Sequence, residues 1–245
     1  MKKTKAFLTL ACALLLVVAS VMGTLAYLTS TPDAVVNTFT VGDNVAIKLD
    51  EAKVNTLGEK VMGQDQKPVA RVKENTYNLR PNHEYVKDPT VHVEGGDCYV
   101  FIVVNNPISS IESTETGYTN INSQIAANNW KEVTGVTLQN GDKLYIYAEG
   151  TAAKTAVKKN ADGTPKDLPV FAKFKIKADA DYGDLDDFEN GKITINAYAV
   201  QTVDFDTKTA AQIWSDSGFA TKYTDANTPV TPDPEGGDAT PDSGE

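Results

Sequence analysis

The sequence CYVFIVVN at residues 98–105 is the most apolar β-type run of the chain, and it decides the fold. Turn residues bound it on both sides, Gly95-Gly96-Asp97 before it and Asn106-Pro107 after it. A continuous apolar run of this length, rather than an alternating one, predicts a strand that is buried on both faces at the centre of a sheet. Cys98 is then expected to be a small core residue and not a reactive thiol.

Shorter strand-type runs lie on both sides of this central run. An Asn-Gly pair at Asn140-Gly141 stands between two of them and predicts a β-hairpin. About eight short strands with turn residues between them predict an all-β protein, an antiparallel β-sandwich with loop insertions and one or two short helices. The predicted strands include residues 45–50, 90–93, 98–105, 130–133, 143–148, 169–176 and 192–201.

The segments between the strands give weaker local signals. Asn82 follows Pro81 in a turn, where Asn tolerates left-handed backbone angles, and Pro89 suits the start of a strand or an edge strand. The remaining local predictions are a polar excursion at 53–75 with a hairpin near 67–72, a helix near 121–129, a loop with a helical turn at 150–166, and a small helix ending near Trp214 with Thr207 or Asp206 as its cap.

The first 26 residues have the composition of a secretory signal peptide. Three lysines at positions 2, 3 and 5 precede an apolar run from Ala6 to about Met22, and small residues follow it. The predicted cleavage region is Thr24, Leu25, Ala26 and Tyr27. Without cleavage, the apolar run is long enough to be a membrane anchor, which would be the chain's one membrane contact. Lipidation of Cys12 is not expected, because the apolar run continues well beyond it.

The charge balance of the chain limits its partners. The 245 residues include 23 Lys and Arg against 33 Asp and Glu, a net charge of −10, and removal of the lysine-containing signal peptide makes the remainder more acidic. Such a chain is not expected to bind nucleic acid or an anionic membrane surface. Cys12 lies in the signal peptide, so Cys98 is alone in the mature chain and no intrachain disulfide is expected.

Three stretches together resemble the TasA/camelysin family of exported proteins. The first combines Gly23, Thr24, Ala26 and Tyr27 with Asn37, Phe39, Gly42 and Leu49-Asp50. The second is the turn at Leu79-Arg80-Pro81-Asn82 followed by Lys87-Asp88-Pro89, where Asn82 stands in a position that is often Gly in the family. The third is Ala197-Tyr198-Ala199-Val200-Gln201 with an acidic link and a small helix after it.

The resemblance implies a fold, a processing route and a function. It implies a jelly-roll β-sandwich domain at 27–225, between the signal peptide at 1–26 and a tail at 226–245. It also implies cleavage by a SipW-type signal peptidase and secretion to the cell surface or extracellular matrix of a Gram-positive bacterium. The implied role is that of a biofilm fibre subunit, in which the N-terminal segment of one subunit adds as a strand to the next. The donor segment would be 27–41, with Asn37, Phe39 and Val41 on one side of the strand.

Other readings of the same features stay open. The donor segment could be the first strand of its own domain, and the protein could be a monomeric cell-surface binding module such as an adhesin. A third alternative is a camelysin-like metallopeptidase. His83-Glu84 begins the zincin pattern, but Lys87 occupies the position of its second histidine.

We therefore predict a protein that is not an enzyme, with no catalytic, cofactor or metal residues. The acidic stretch 179–189 fails the EF-hand spacing at Gly183, which favours a solvated loop over a cation site, although the cation question stays open. Residues 226–245 predict a disordered, acidic, proline-rich tail, and they contain no wall-sorting motif.

Overall fold

A computed structural model of the chain describes residues 45–186, 188 and 192–227. All of them belong to one compact unit, Gly42–Glu245. The predicted signal peptide and donor segment, and the predicted tail from Thr228 onward, lie outside the described residues.

The described residues form nine strands and several short helices. The strands are β1 (Ile47–Asp50), β2 (Glu84–Val86), β3 (Thr90–Val93), β4 (Cys98–Asn105), β5 (Trp130–Glu132), β6 (Lys143–Tyr147), β7 (Lys166–Pro169), β8 (Lys173–Lys175) and β9 (Thr194–Gln201). The α-helices are α1 (Ile121–Ala127), α2 (Tyr182–Asp186), α3 (Ala210–Asp216) and α4 (Phe219–Asn227), and two 3₁₀ turns cover Pro107–Ser110 and Gln139–Gly141.

The strands pair into three antiparallel sheets, which confirms the predicted all-β class with a few short helices. The sheets have the strand orders β1-β3-β7, β2-β8 and β5-β6-β4-β9. The longest ladder joins β4 to β9 over eight residue pairs, from Cys98 opposite Gln201 to Asn105 opposite Thr194.

Strand β4 is buried on both faces, as its sequence predicts, because it separates two hydrophobic clusters. Val100, Ile102 and Val104 face a cluster that joins all three sheets. Tyr99, Phe101 and Val103 face a second cluster, which is completed by four side chains of α3 and α4: Ile213, Trp214, Phe219 and Tyr223. Burial of each large apolar side chain contributes roughly 1.5–3 kcal/mol, so both faces stabilise the position of this strand.

Turn chemistry explains several local features. Asn140 and Gly141 have φ values of 56° and 74° in the connection between β5 and β6, which pair antiparallel, so the predicted hairpin is confirmed. Asn82 has φ 56°, which confirms its left-handed turn. Helix α1 begins after Asn120, whose side chain accepts a hydrogen bond from the Ser123 N–H, as an N-cap should.

The prediction of one strand at 169–176 is wrong, because the chain turns a corner there. Strand β7 ends at Pro169 and β8 begins at Lys173, and the two belong to different sheets. Side chains from α1 and β5 satisfy the backbone at the corner. Asn128 Nδ2 donates to the Val170 carbonyl, Trp130 Nε1 donates to the Pro169 carbonyl, and Gln124 Oε1 accepts from the Ala172 N–H.

Three further local predictions need correction. The cap of α3 is Thr209, in a capping box with Gln212, and not Thr207 or Asp206. Residues 150–166 contain no helical turn, and Val157 instead forms an isolated β-bridge with Cys98. The hairpin in the 53–75 excursion lies earlier than predicted, because its turn closes where the Gly63 N–H donates to the Lys67 carbonyl. Helix α4 is absent from the sequence predictions.

Candidate functional site

The outer edge of β9 is the longest open sheet edge among the described residues. Strand β9 is the last strand of the four-stranded sheet, and no other described strand pairs with its outer side. Ile195, Ala197 and Ala199 pack against the first cluster, and Tyr198 and Val200 pack against the second. The strand is therefore held in place on both faces, while the backbone N–H and C=O groups of its outer side form an edge that another strand could pair with.

The other described edges carry features that discourage strand addition. Charged residues occupy β1, β5 and β7, and β7 also ends in Pro169. The outer sides of β2 and β8 are already bonded, since the Val86 N–H donates to the Gly58 carbonyl and the Ser113 N–H donates to the Lys175 carbonyl. Strand β9 reads TINAYAVQ and contains neither a charge nor a proline.

Strand β1 lies beside β9, with Cα atoms of the two strands within 8 Å of each other. The predicted donor residues Asn37, Phe39 and Val41, and the cleavage region Thr24, Leu25, Ala26 and Tyr27, belong to the chain that precedes β1 and lie outside the described residues.

The two histidines have separate surroundings. His83 precedes β2, and its Nε2 lies 2.9 Å from the Leu57 carbonyl oxygen. His92 lies in β3, where Nδ1 is 2.6 Å from Asp167 Oδ1 and Nε2 is 2.9 Å from Asp50 Oδ1. Neither histidine contacts the other. Within the described residues no group of three or more His, Cys, Asp or Glu side chains has a geometry suited to a metal ion.

Asp50 is the centre of a charged cluster on the side of β1 and β3 that faces away from the core. Its carboxylate pairs with Arg71 Nε, with Lys48 Nζ at 2.9 Å and with His92 Nε2 at 2.9 Å. Burial alone would raise the pKa of Asp50, but the hydrogen bonds from Arg71, Lys48 and His92 outweigh it and lower the pKa to about 2.

The same cluster shifts the pKa of His92 upwards, in the opposite direction to that of Asp50. Partial burial disfavours its charged form, but the hydrogen bonds and negative charges of Asp50 and Asp167 outweigh that cost and raise the pKa of His92. Since both ring nitrogens face carboxylate oxygens, the imidazolium, which donates from both, fits the contacts best. This pairing makes the cluster a structural clamp across β1, β3 and β7.

Two carboxylates of the acidic stretch, Asp181 and Asp184, and the cysteine have structural roles. Asp181 and Asp184 hold the first turn of α2, where Asp181 Oδ1 accepts from the Asp184 N–H at 2.8 Å, and Lys177 lies 3.5 Å from Asp184. Cys98 is fully buried, and burial raises the pKa of its thiol to about 11, as expected for an unreactive core residue.

The described part of the chain has surface clefts, two of which are candidate binding sites. The larger, about 620 Å³, lies between α1 and β8 and is lined by polar side chains that include Glu115, Gln124 and Lys173. The smaller, about 360 Å³, lies beside α3 and α4 next to Trp214. In the larger cleft the lysines are held in ion pairs, Lys173 with Glu84 at 2.9 Å and Lys175 with Glu115 at 2.6 Å.

The described helices are all too short or too polar to cross a lipid bilayer. No protein-family model, curated protein or solved structure matches the chain.

Proposed function

We propose that this protein is an exported structural protein, a subunit of a surface or extracellular-matrix fibre, that assembles by strand addition at the outer edge of β9. The observation that carries the proposal is the eight-residue, uncharged edge of β9, with which no described strand pairs. Soluble β-proteins commonly protect long edges with charges or prolines, so a strand that contains neither favours a pairing function.

The donor in this proposal is the segment 27–41. Backbone hydrogen bonds to β9 would supply affinity, and alternate side chains, with Asn37, Phe39 and Val41 on one side, would set the register. Support comes from the contact between β1, the first described strand after this segment, and the proposed acceptor strand β9. A donor that pairs within its own subunit gives a monomer, whereas a donor that pairs with the neighbouring subunit gives a fibre.

Processing and location belong to the same proposal. Residues 1–26 act as a signal peptide for a SipW-type peptidase, and cleavage near Ala26 frees the donor from the membrane. The mature protein is then a jelly-roll domain with an acidic tail, secreted to the surface or matrix of a Gram-positive cell. The role is mechanical and not enzymatic.

Sedimentation velocity on two forms of the chain tests the assembly step. The form that begins at Tyr27 should give large species, and the form that begins at Gly42 should remain monomeric. If both forms remain monomeric, the fibre proposal fails, and a monomeric surface binding module becomes the better reading.

A second pair of variants tests the acceptor edge. Thr194 and Asn196 of β9 are exposed, so replacing both by lysine adds charge at the edge without disturbing the core. The matched control replaces the exposed loop residues Thr114 and Thr134 by lysine, which makes the same change in net charge. Only the β9 variant of the Tyr27 form should lose the large species. Equal loss in both variants would indicate a general charge effect and not an acceptor at β9.

A further inference from the structure

A cluster of three side chains, the buried Glu51 and Lys87 and the half-buried Asn75, lies where the 53–75 excursion meets the connection between β2 and β3. Lys87 Nζ donates to Glu51 Oε2 at 2.6 Å, and Asn75 Nδ2 donates to Glu51 Oε1 at 2.8 Å. One carboxylate therefore holds an amine on one oxygen and a carboxamide on the other. Lys87 and Glu51 are 8% and 3% exposed, which is rare for charged residues.

The backbone around the cluster keeps these side chains together. Glu51 and Val72 exchange two backbone hydrogen bonds of 2.8 Å each, and the Lys87 N–H donates to the Ala172 carbonyl. Tyr77 lies on the remaining side, with its ring centroid 5.9 Å from Lys87 Nζ and its hydroxyl donating to the Val86 carbonyl. Glu51 and Lys87 are thus shielded from water, and one carboxylate holds both the amine and the carboxamide, which favours reaction between them.

The carboxamide of Asn75 is held in a defined orientation. Its Oδ1 accepts from the Val54 N–H at 3.0 Å, and its Nδ2 also donates to the Ala52 carbonyl at 2.9 Å. The Val54 N–H would stabilise negative charge that develops on Oδ1 if a nucleophile added to Cγ. The Nδ2 atom, which would leave, lies on the carboxylate that could protonate it.

We propose that Lys87 and Asn75 become joined by an intramolecular isopeptide bond, with Glu51 as the catalytic acid and base. Glu51 Oε2 takes a proton from the Lys87 ammonium, and the neutral amine adds to Asn75 Cγ. Glu51 delivers this proton to Nδ2 and then takes the second proton that the amine loses, so that the Cγ–Nδ2 bond breaks with ammonia as the leaving group and the second proton passes from Glu51 to water or to the departing ammonia. The amine and the carboxamide become one amide and one ammonia, and no oxidant or other reactant is needed.

The bond would join Asn75, the last residue of the 53–75 excursion, covalently to Lys87 in the connection between β2 and β3. Its formation depends only on the folded subunit and not on assembly, so it stands apart from the proposed fibre function. Its consequence would be resistance of residues 75–87 to unfolding and proteolysis, because the cross-link closes this loop and lowers the entropy of the unfolded chain.

Peptide mapping of the folded, full-length protein tests the proposal. A protease that cleaves after glutamate divides the unlinked chain at Glu74, Glu84 and Glu94 into the separate peptides 75–84 and 85–94. The linked chain should instead give one branched species, with the summed mass of the two peptides less one ammonia. Recovery of the two separate peptides at full mass, after prolonged incubation of folded protein at neutral pH, would overturn the proposal.

Three variants and a control assign the roles. Lys87→Arg keeps the positive charge without the nucleophile, Asn75→Ala removes the electrophile, and Glu51→Gln keeps the shape but cannot carry protons. Each should lose the branched species, whereas Asn78→Ala, an exposed asparagine of the same peptide, should keep it. Full cross-linking in folded Glu51→Gln would exclude Glu51 as the catalytic group, and a cross-link that survives in Asn75→Ala would exclude the assigned bond.

Discussion

Asp50 and Glu51 are consecutive acidic residues, yet they lie in two different environments. Side chains alternate along a strand, so the two carboxylates point to opposite sides at the end of β1. Asp50 meets three cationic groups, of which Lys48 has a 59% exposed side chain. Glu51 meets one, Lys87, whose side chain is 9% exposed. The comparison shows that the number and the exposure of its partners decide how much a buried carboxylate contributes to the free energy of unfolding.

The largest effect is expected from Glu51→Ala. In subunits that have not formed the proposed cross-link, this change leaves the buried Lys87 ammonium without its carboxylate and the Asn75 amide with only the Ala52 carbonyl as acceptor, so we expect the free energy of unfolding to fall by about 3–5 kcal/mol. Urea denaturation at neutral pH, followed by tryptophan fluorescence, measures it.

Glu51→Gln is the control for this prediction, because it keeps one side-chain acceptor where Glu51→Ala keeps none, and it should therefore lose less stability than Glu51→Ala. Equal stability of Glu51→Ala and the unaltered protein would mean that Lys87 finds other partners and that the cluster is not a structural anchor.

The sequence predicts the elements of the fold better than their packing. The run at 98–105 predicts a central strand buried on both sides, because every position from Cys98 to Val104 is apolar. It cannot show that the second face is covered by α3 and α4, since helices of this length leave weak periodic signals. The sequence does not predict the corner at 170–172 for a related reason. Apolar residues continue through it, and only the side chains of α1 show that the strand is interrupted.

The polar clusters were predicted only in part. The alternation of Val91, His92 and Val93 predicts that His92 points away from the core, which the structure confirms. Its partners Asp50 and Asp167 are 42 and 75 residues away in sequence, so only the register of β1, β3 and β7 brings them together. The same holds for Glu51 and Lys87, which are 36 residues apart. No local motif encodes such a pair.

A smaller effect is expected from Asp50→Asn. The pKa of Asp50 falls from 3.8 to about 2 on folding, which corresponds to roughly 2 kcal/mol of stability at neutral pH. A lowered pKa means that this contribution is present above pH 4 and is lost as the pH falls towards 2. The difference in unfolding free energy between Asp50→Asn and the unaltered protein should therefore shrink over that range.

Denaturation curves at a series of acidic pH values measure this difference. A difference between the two proteins that stays constant from neutral pH to pH 2 would contradict the ion pairs assigned to Asp50.

The contribution of His92 to stability should depend on pH more weakly than that of Asp50 and with the opposite sign. Its pKa is raised on folding, so its contribution is complete below pH 6.5, the ordinary value, and is lost as the pH rises through the folded value. His92→Gln should therefore destabilise the protein more at pH 5.5 than at pH 8.5, by less than about 1 kcal/mol because the side chain is partly solvated. Titration of the His92 ring by NMR measures the pKa directly, and a value below 6.5 would contradict the clamp.

The smallest effect is expected from Lys48→Ala. This change tests whether a short ion-pair distance in the Asp50 cluster is enough to stabilise the fold. Lys48 Nζ lies 2.9 Å from Asp50 Oδ2, as close as His92 lies to Oδ1, but its side chain is largely in water. Ordering a long, solvated side chain offsets most of what a surface pair gains. Arg71 and His92 also remain to hold Asp50. We therefore expect no measurable change in the denaturation midpoint at physiological salt. A clear loss of stability would mean that Lys48 is a necessary partner of Asp50. The exposure of the partners would then not explain the difference between Asp50 and Glu51.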